Sequence, residues 1–239
     1  MKISLTVNGL QVDAQYSEAE IQQVHLPLLQ HIAKLHRRSG KRRTVVFLSA
    51  PPGTGKSTLT TFWAYLSQRE PGLPAMQTLP MDGFHHYNAW LDANQLRPFK
   101  GAPETFDVAK LANYLRQLGE ETVDWPQYDR QKHDPVEAAI AVSASIVIVE
   151  GNWLLLDDDN WKALGACCDL SVFITAPASA LRERLVQRKI AGGLSQEEAQ
   201  AFYLRTDGPN VDRVLGQSRQ ADVLLCMTER GEYRVGRME

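Results

Sequence analysis

The chain has 239 residues (26.8 kDa), 44% of them hydrophobic and 23% charged, enough for one α/β domain or two small ones around a substantial core. Its 26 Lys and Arg against 28 Asp and Glu give a formal charge of −2, which leaves no general nucleic-acid footprint, so anion binding must be local. Cys167, Cys168 and Cys226 show neither metal-ligand spacing nor a disulfide framework, no apolar run approaches a membrane span, and no signal-peptide core is present; this composition predicts a cytoplasmic, reducing location with Cys167 and Cys168 as buried thiols and no membrane or nucleic-acid partner.

Ile3, Leu5 and Val7 alternate with polar residues, Asn8-Gly9 follows, and Leu10, Val12 and Ala14 alternate again. Asn-Gly tolerates the positive φ angles of a type I′ turn, so a hairpin is predicted. Ser17 and Glu20 have capping-box spacing, and Ile21, Val24, Leu28, Ile32 and Leu35 fall near one face of the helix they open. Pro27 predicts a kink and Gly40 the helix end. Residues 1–40 therefore form a hairpin-helix extension ahead of a main domain at 41–239. The cluster Arg37, Arg38, Lys41, Arg42 and Arg43 reads as a solvated helix end and linker, with nucleic-acid contact as the alternative.

From Thr44 onward, strands and helices alternate. Strands are predicted at 44–49, 75–81, 145–150, 169–174 and 222–227, with a final hairpin strand at 232–235. Helices are predicted at 56–69, 105–118 and 177–191, followed by two shorter ones, and a long loop at 122–135. This order implies an α/β fold with a mainly parallel sheet and helices on both faces. The near-continuous apolar runs TVVFLS, SIVIV and LSVFI suit strands buried on both sides.

Chemistry in such a sheet collects at the carboxyl ends of the strands. After the first strand stands Ala50-Pro51-Pro52-Gly53-Thr54-Gly55-Lys56-Ser57-Thr58, a phosphate-binding loop with alanine in place of the usual first glycine. Its glycines let the backbone turn several N–H groups toward one phosphate while the following helix directs its positive end there. Pro52, Gly53, Thr54, Gly55, Lys56, Ser57 and Thr58 are thus nucleotide-binding candidates in a P-loop NTPase fold: Lys56 can reach the β- and γ-phosphates and the Ser57 hydroxyl can ligate Mg²⁺. Asp82 and Glu150 end the next two strands. Asp82 could take a proton from an attacking hydroxyl or could support Mg²⁺ or Lys56 from behind; Glu150 could bind at the metal or merely cap a turn.

Tyr128, Asp129, Arg130, Lys132 and His133 lie in the long polar loop, which could hold a polar substrate or be simply solvated. A zinc cluster of His85, His86 and His133 is the weaker alternative, since no ligand spacing supports it. In helix 177–191, Arg184 and Arg188 share one face, Gly192-Gly193 ends it, and Ser195 with Glu198 opens another helix. Two helices joined at a glycine pair form a candidate lid at about 184–206, with Arg184 or Arg188 offsetting charge on a transferred phosphoryl group. A solvated basic face is the alternative. Pro209 in Asp207-Gly208-Pro209-Asn210 suits the first turn of a further helix.

The combination APPGTGKST, MDGFHH, WPQYDRQKHDP and VIVEGNWLL resembles the uridine kinase, phosphoribulokinase and pantothenate kinase superfamily of phosphate-loop kinases, over about Thr44 to Met227, with its bacterial nucleoside/nucleotide kinase-like branch the nearest in look. The resemblance implies ATP with Mg²⁺, a small-molecule phosphate acceptor, and Asp82 as the catalytic base beside Lys56. It further implies Tyr128 and Asp129, with His133 behind them, as substrate contacts, and Ser57 and Glu150 at the metal; His85, shortly after Asp82, is a further substrate-contact candidate. His85-His86-Tyr87 departs from the usual nucleoside-kinase residues, so nucleoside, sugar, sugar acid and pantothenate-like acceptors all stay open. Monomer and homodimer both remain compatible with the sequence, as does a partner-coupled NTPase.

Overall fold

The computed structural model describes residues 1–119 and 122–238. Strands β1 (Lys2–Val7) and β2 (Leu10–Gln15) pair antiparallel through Asn8 (φ 50°) and Gly9 (φ 80°), both in the left-handed region that the hairpin requires. Helix α1 (Glu18–Glu20) runs through a π turn at Ile21–His25 into α2 (Leu26–Ser39), which ends at left-handed Gly40. The kink predicted from Pro27 thus takes the form of a widened turn just ahead of it, where Leu26 N–H reaches the Ile21 carbonyl. Only half of the first capping box forms: Ser17 Oγ accepts Glu20 N–H at 3.1 Å, while the Glu20 side chain turns into the core instead of back to the cap.

Strand β3 (Thr44–Ser49) is the centre of a six-stranded sheet. β7 (Ile146–Gly151) and then β4 (Met76–Pro80) lie on one side, and β8 (Leu170–Thr175), β9 (Val223–Met227) and β10 (Tyr233–Met238) on the other. All pairs are parallel except β9 with β10. One face packs on α2, α3 (Lys56–Ser67) and α7 (Ala178–Ala191), and Leu5, Val7 and Tyr16 of the amino-terminal hairpin join that core. The opposite face packs on α5 (Val108–Leu118) and the buried Trp125, Trp153 and Trp161. Short helices α4 (Asn88–Ala93) and α6 (Asp159–Lys162), then α8 (Gln196–Phe202) and α9 (Gly208–Gln217), complete the layers. No helix among the described residues is long and apolar enough to cross a membrane.

Four expectations are corrected. Residues 122–135 are not a loop: β5 (Asp124–Asp129) and β6 (Asp134–Ala141) form a hairpin. Pro126 and Pro135 argue against strands, but Pro126 sits at a register shift in the ladder, where its missing N–H costs nothing. Trp125 anchors the hairpin by donating its indole N–H to the Pro80 carbonyl at 2.8 Å. The helix predicted from 105 begins only at Val108, because Asp107 accepts Lys110 N–H and caps it. Cys167 and Cys168 are half-buried rather than buried, with burial pushing the Cys168 thiol up to about 12.

Arg43 is not part of a solvated linker. It is 6% exposed and donates to the Leu118 carbonyl at 2.6 Å and the Ala144 carbonyl at 2.9 Å. Five donors in a rigid fork let one guanidinium join α5 to the start of β7. Arg43→Met is therefore expected to cost about 2–3 kcal/mol of stability, because it leaves buried carbonyls without donors. A denaturant midpoint unchanged from the parent chain would show that these bonds add nothing.

Candidate phosphate-transfer site

The loop between β3 and α3 is formed as its sequence requires. Gly53 (φ 90°) and Gly55 (φ 81°) adopt backbone angles that other residues strongly resist. A Cβ on Gly53 would also come within 3.1 Å of Leu185. The Thr54 hydroxyl donates to the Pro51 carbonyl at 2.9 Å. Ala50, at the position that usually carries glycine, is fully buried, and its N–H reaches the Gly151 carbonyl at 3.3 Å; one methyl group is accommodated there.

Glu150 occupies the end of β7, in register with Leu48 of β3 and Pro80 of β4. It is 3% exposed. Its Oε1 accepts the Ser57 hydroxyl at 2.6 Å and its Oε2 lies 4.0 Å from Lys56 Nζ. Burial pushes the Glu150 carboxyl above the usual carboxylate range, and the Lys56 charge opposes that push. Hard oxygens at Ser57 and Glu150 beside an anion-binding loop suit Mg²⁺, which takes few protein ligands and completes its shell with phosphates and water. Among the described residues no group of three or more His, Cys, Asp or Glu side chains is placed to hold a metal.

Asp82 opens a tight turn, Met81–Phe84, directly after β4. Gly83 is needed there for space: a Cβ would lie 2.2 Å from the Pro126 carbonyl oxygen. That close approach brings β5 against the turn and sets Tyr128 beside His85, with ring centres 5.3 Å apart. The Phe106 ring also lies against His85, tilted, with centres 3.8 Å apart. His85 Nδ1 lies 2.8 Å from the Asp82 carbonyl. A carbonyl only accepts, so Nδ1 carries the proton and Nε2 is left as an acceptor. Burial lowers the His85 pKa, which favours this neutral ring. Lys100 Nζ sits 4.8 Å over the Tyr128 ring and donates to Asn88 Oδ1 at 2.6 Å. The Tyr128 hydroxyl is pushed up to about 12, chiefly by burial and further by Asp134 and Asp82.

Asp82, His85 and Tyr128 thus lie beyond the end of β4, while Lys56 and Ser57 of the loop meet Glu150 at the end of the neighbouring β7. Asp129 is occupied locally: its Oδ1 accepts Gln131 N–H at 2.8 Å and Lys132 N–H at 2.9 Å, closing the β5–β6 turn. His133 is exposed in that turn, and its carbonyl, not its ring, receives Asn88 and Lys100. His86 stacks on Trp90 at 3.7 Å, apart from His85's partners. Sequence reasoning did not single out Lys100, which belongs to no motif.

On the other side of the loop, Arg184 Nε donates to the Gly53 carbonyl at 2.8 Å. Arg188, one turn further along α7, is exposed; burial raises the Asp207 carboxyl, and the charges of Lys189 and then Arg188 oppose that push. Left-handed Gly193 (φ 103°) follows α7, and the Ser195–Glu198 capping box is complete. Pro209 lies in the first turn of α9.

No family model matches the chain. It is 68% identical over 233 residues to the "Uncharacterized protein YggC" of Escherichia coli K12, covering 98% of each. Over 210 residues it is 31% identical to a candidate uridine kinase, C227.14, of Schizosaccharomyces pombe, covering 83% of this chain and 85% of that protein. The crystal structure of a candidate fructose transport system kinase from Silicibacter sp. TM1040 superposes with a TM-score of 0.80 at 33% identity, over 84% of this chain and 98% of that one. With the loop, the strand-end carboxylates and the strand order in place, the chain belongs to the uridine kinase, phosphoribulokinase and pantothenate kinase superfamily of phosphate-loop kinases.

Proposed function

We propose that the protein is a cytoplasmic kinase whose domain at 41–239 transfers the γ-phosphoryl group of ATP to a hydroxyl of a small metabolite. The observation that carries this reading is the placement of Asp82 in the turn directly after β4, next to the β7 strand that supplies Glu150. A carboxylate there, with His85 bonded to its backbone carbonyl and the Tyr128 ring beside His85, would give an acceptor hydroxyl polar partners next to the strand that carries Glu150. A module that only bound nucleotide would have no use for a base at that place.

In this reading the phosphates lie on residues 53–58 and the acceptor hydroxyl lies between Asp82 and the γ-phosphorus. Asp82 orients the hydroxyl and takes its proton as the new O–P bond forms, while the bond from the γ-phosphorus to its bridging oxygen breaks and ADP leaves. Lys56 neutralises charge on the phosphates. Mg²⁺, held through Ser57 and Glu150, would supply Lewis-acid neutralisation of the same oxygens. Arg184, already against the loop, is better placed than Arg188 to follow the transferred group. Closure of the helix pair α7–α8 excludes water, which would otherwise compete as acceptor.

The test is ADP release from MgATP across nucleosides, sugars, sugar acids and pantothenate, with Lys56→Ala as the control. The names of the relatives put uridine and fructose first in that panel. Acceptor-stimulated release that Lys56→Ala abolishes is the expected result. Steady Lys56-dependent hydrolysis without stimulation by any compound would replace the kinase with a partner-coupled NTPase.

A further inference from the structure

A loop that turns its N–H groups inward around a phosphate must turn the carbonyls of the same peptide units outward, and each of those carbonyls needs a donor of its own. Two side chains supply them. Arg184 serves the Gly53 carbonyl, and the Tyr233 hydroxyl donates to the Thr54 carbonyl at 2.5 Å. The two are unlike. Arg184 is exposed on α7, whereas Tyr233, at the start of β10, is 5% exposed.

Tyr233 is itself held by the amino-terminal extension. Its backbone N–H donates to Glu20 Oε1 at 2.9 Å, and that oxygen lies 3.3 Å from His25 Nε2. His25 Nδ1 accepts the Trp63 indole N–H at 3.1 Å. An indole only donates, so the His25 proton sits on Nε2, facing Glu20. Trp63 belongs to α3, the helix that the phosphate loop opens. Tyr16 stacks on Phe62 of the same helix at 3.9 Å. The path therefore closes on itself, from the loop to Tyr233, Glu20, His25, Trp63 and back along α3.

We infer that Tyr233 is a positioning residue for the phosphate loop, and that residues 1–40 hold it in place through Glu20. The Thr54 carbonyl and the Gly55 N–H belong to one rigid peptide plane, so fixing the oxygen outward fixes the N–H inward, toward the phosphate. Gly55 imposes little resistance to rotation of that plane, and the hydroxyl supplies the restraint that glycine lacks. Burial pushes the Tyr233 hydroxyl well above its ordinary range, so it remains a donor across the working pH range. The inference rests on the kinase reading only to the extent that the loop binds nucleotide.

The test is MgADP binding by calorimetry, with no acceptor present, alongside the melting temperature of the ligand-free protein. Tyr233→Phe is expected to weaken MgADP binding about tenfold while the ligand-free melting temperature falls by no more than about 2–4 °C, the size of one lost hydrogen bond in a domain this large. Glu20→Gln keeps an oxygen for the Tyr233 N–H and is expected to bind MgADP like the parent; Glu20→Ala removes it and is expected to follow Tyr233→Phe. A Tyr233→Phe protein that binds MgADP as the parent does, whatever its melting temperature, overturns the inference. A parent protein that binds MgADP yet phosphorylates nothing would sink the kinase reading and leave this one standing.

Discussion

Lys56→Ala is expected to lower acceptor phosphorylation by about 10³-fold, since removal of a single preorganised charge-stabilising donor commonly costs about 10²–10³ and this one serves a group carrying several negative charges. The same change strips Glu150 of the cation that opposes its burial. The carboxyl should then rise further in pKa, which would weaken any metal held with Ser57. Loss should therefore appear in both kcat and the apparent affinity for MgATP. Phosphorylation rates compared at saturating acceptor, with the fold verified by circular dichroism, are the measurement. A variant retaining a tenth of parental activity would remove Lys56 from the transfer step.

Asp82→Asn is expected to act differently. It preserves shape and leaves the backbone carbonyl that His85 uses untouched. Only the proton acceptor disappears, so kcat should fall by roughly 10²–10⁴ while MgADP affinity stays within about twofold. Unchanged kcat with a weakened dependence on Mg²⁺ would move Asp82 from the acceptor to the metal. Single-turnover rates read the distinction directly, because product release cannot mask the chemical step.

The core of this architecture was legible because its signals are redundant. Residues 45–48 are apolar throughout, the glycines of residues 53 and 55 sit where positive φ is required, and Asp82 and Glu150 follow apolar runs. The Asn8-Gly9 turn and the Ser195–Glu198 cap were equally readable, since each depends on local chemistry alone. What failed depended on distant partners. Arg43 stands in a basic run that looks like surface, and only the carbonyls of Leu118 and Ala144 make it a core residue. The β5–β6 hairpin hid behind two prolines, of which Pro126 sits at a register shift and Pro135 near the start of its strand. Asp129 illustrates a different ambiguity: a side chain suited to holding a substrate is equally suited to closing a turn, and the structure shows it doing the latter. Tyr233 carries no motif, and its partner Glu20 looked like half of a helix cap.

The pairing of Glu20 with Tyr233 joins positions separated by 213 residues. Contacts that span so much chain form late, because the entropy of closing the intervening loop must be met first. A growing polypeptide on the ribosome will display the complete glycine-lysine-serine motif long before residue 233 has been made. Until then the Thr54 carbonyl lacks its donor and the loop lacks its restraint. The motif is encoded early, and with Tyr233 as its positioning residue the loop reaches full nucleotide affinity only when distant segments of the chain have met around it.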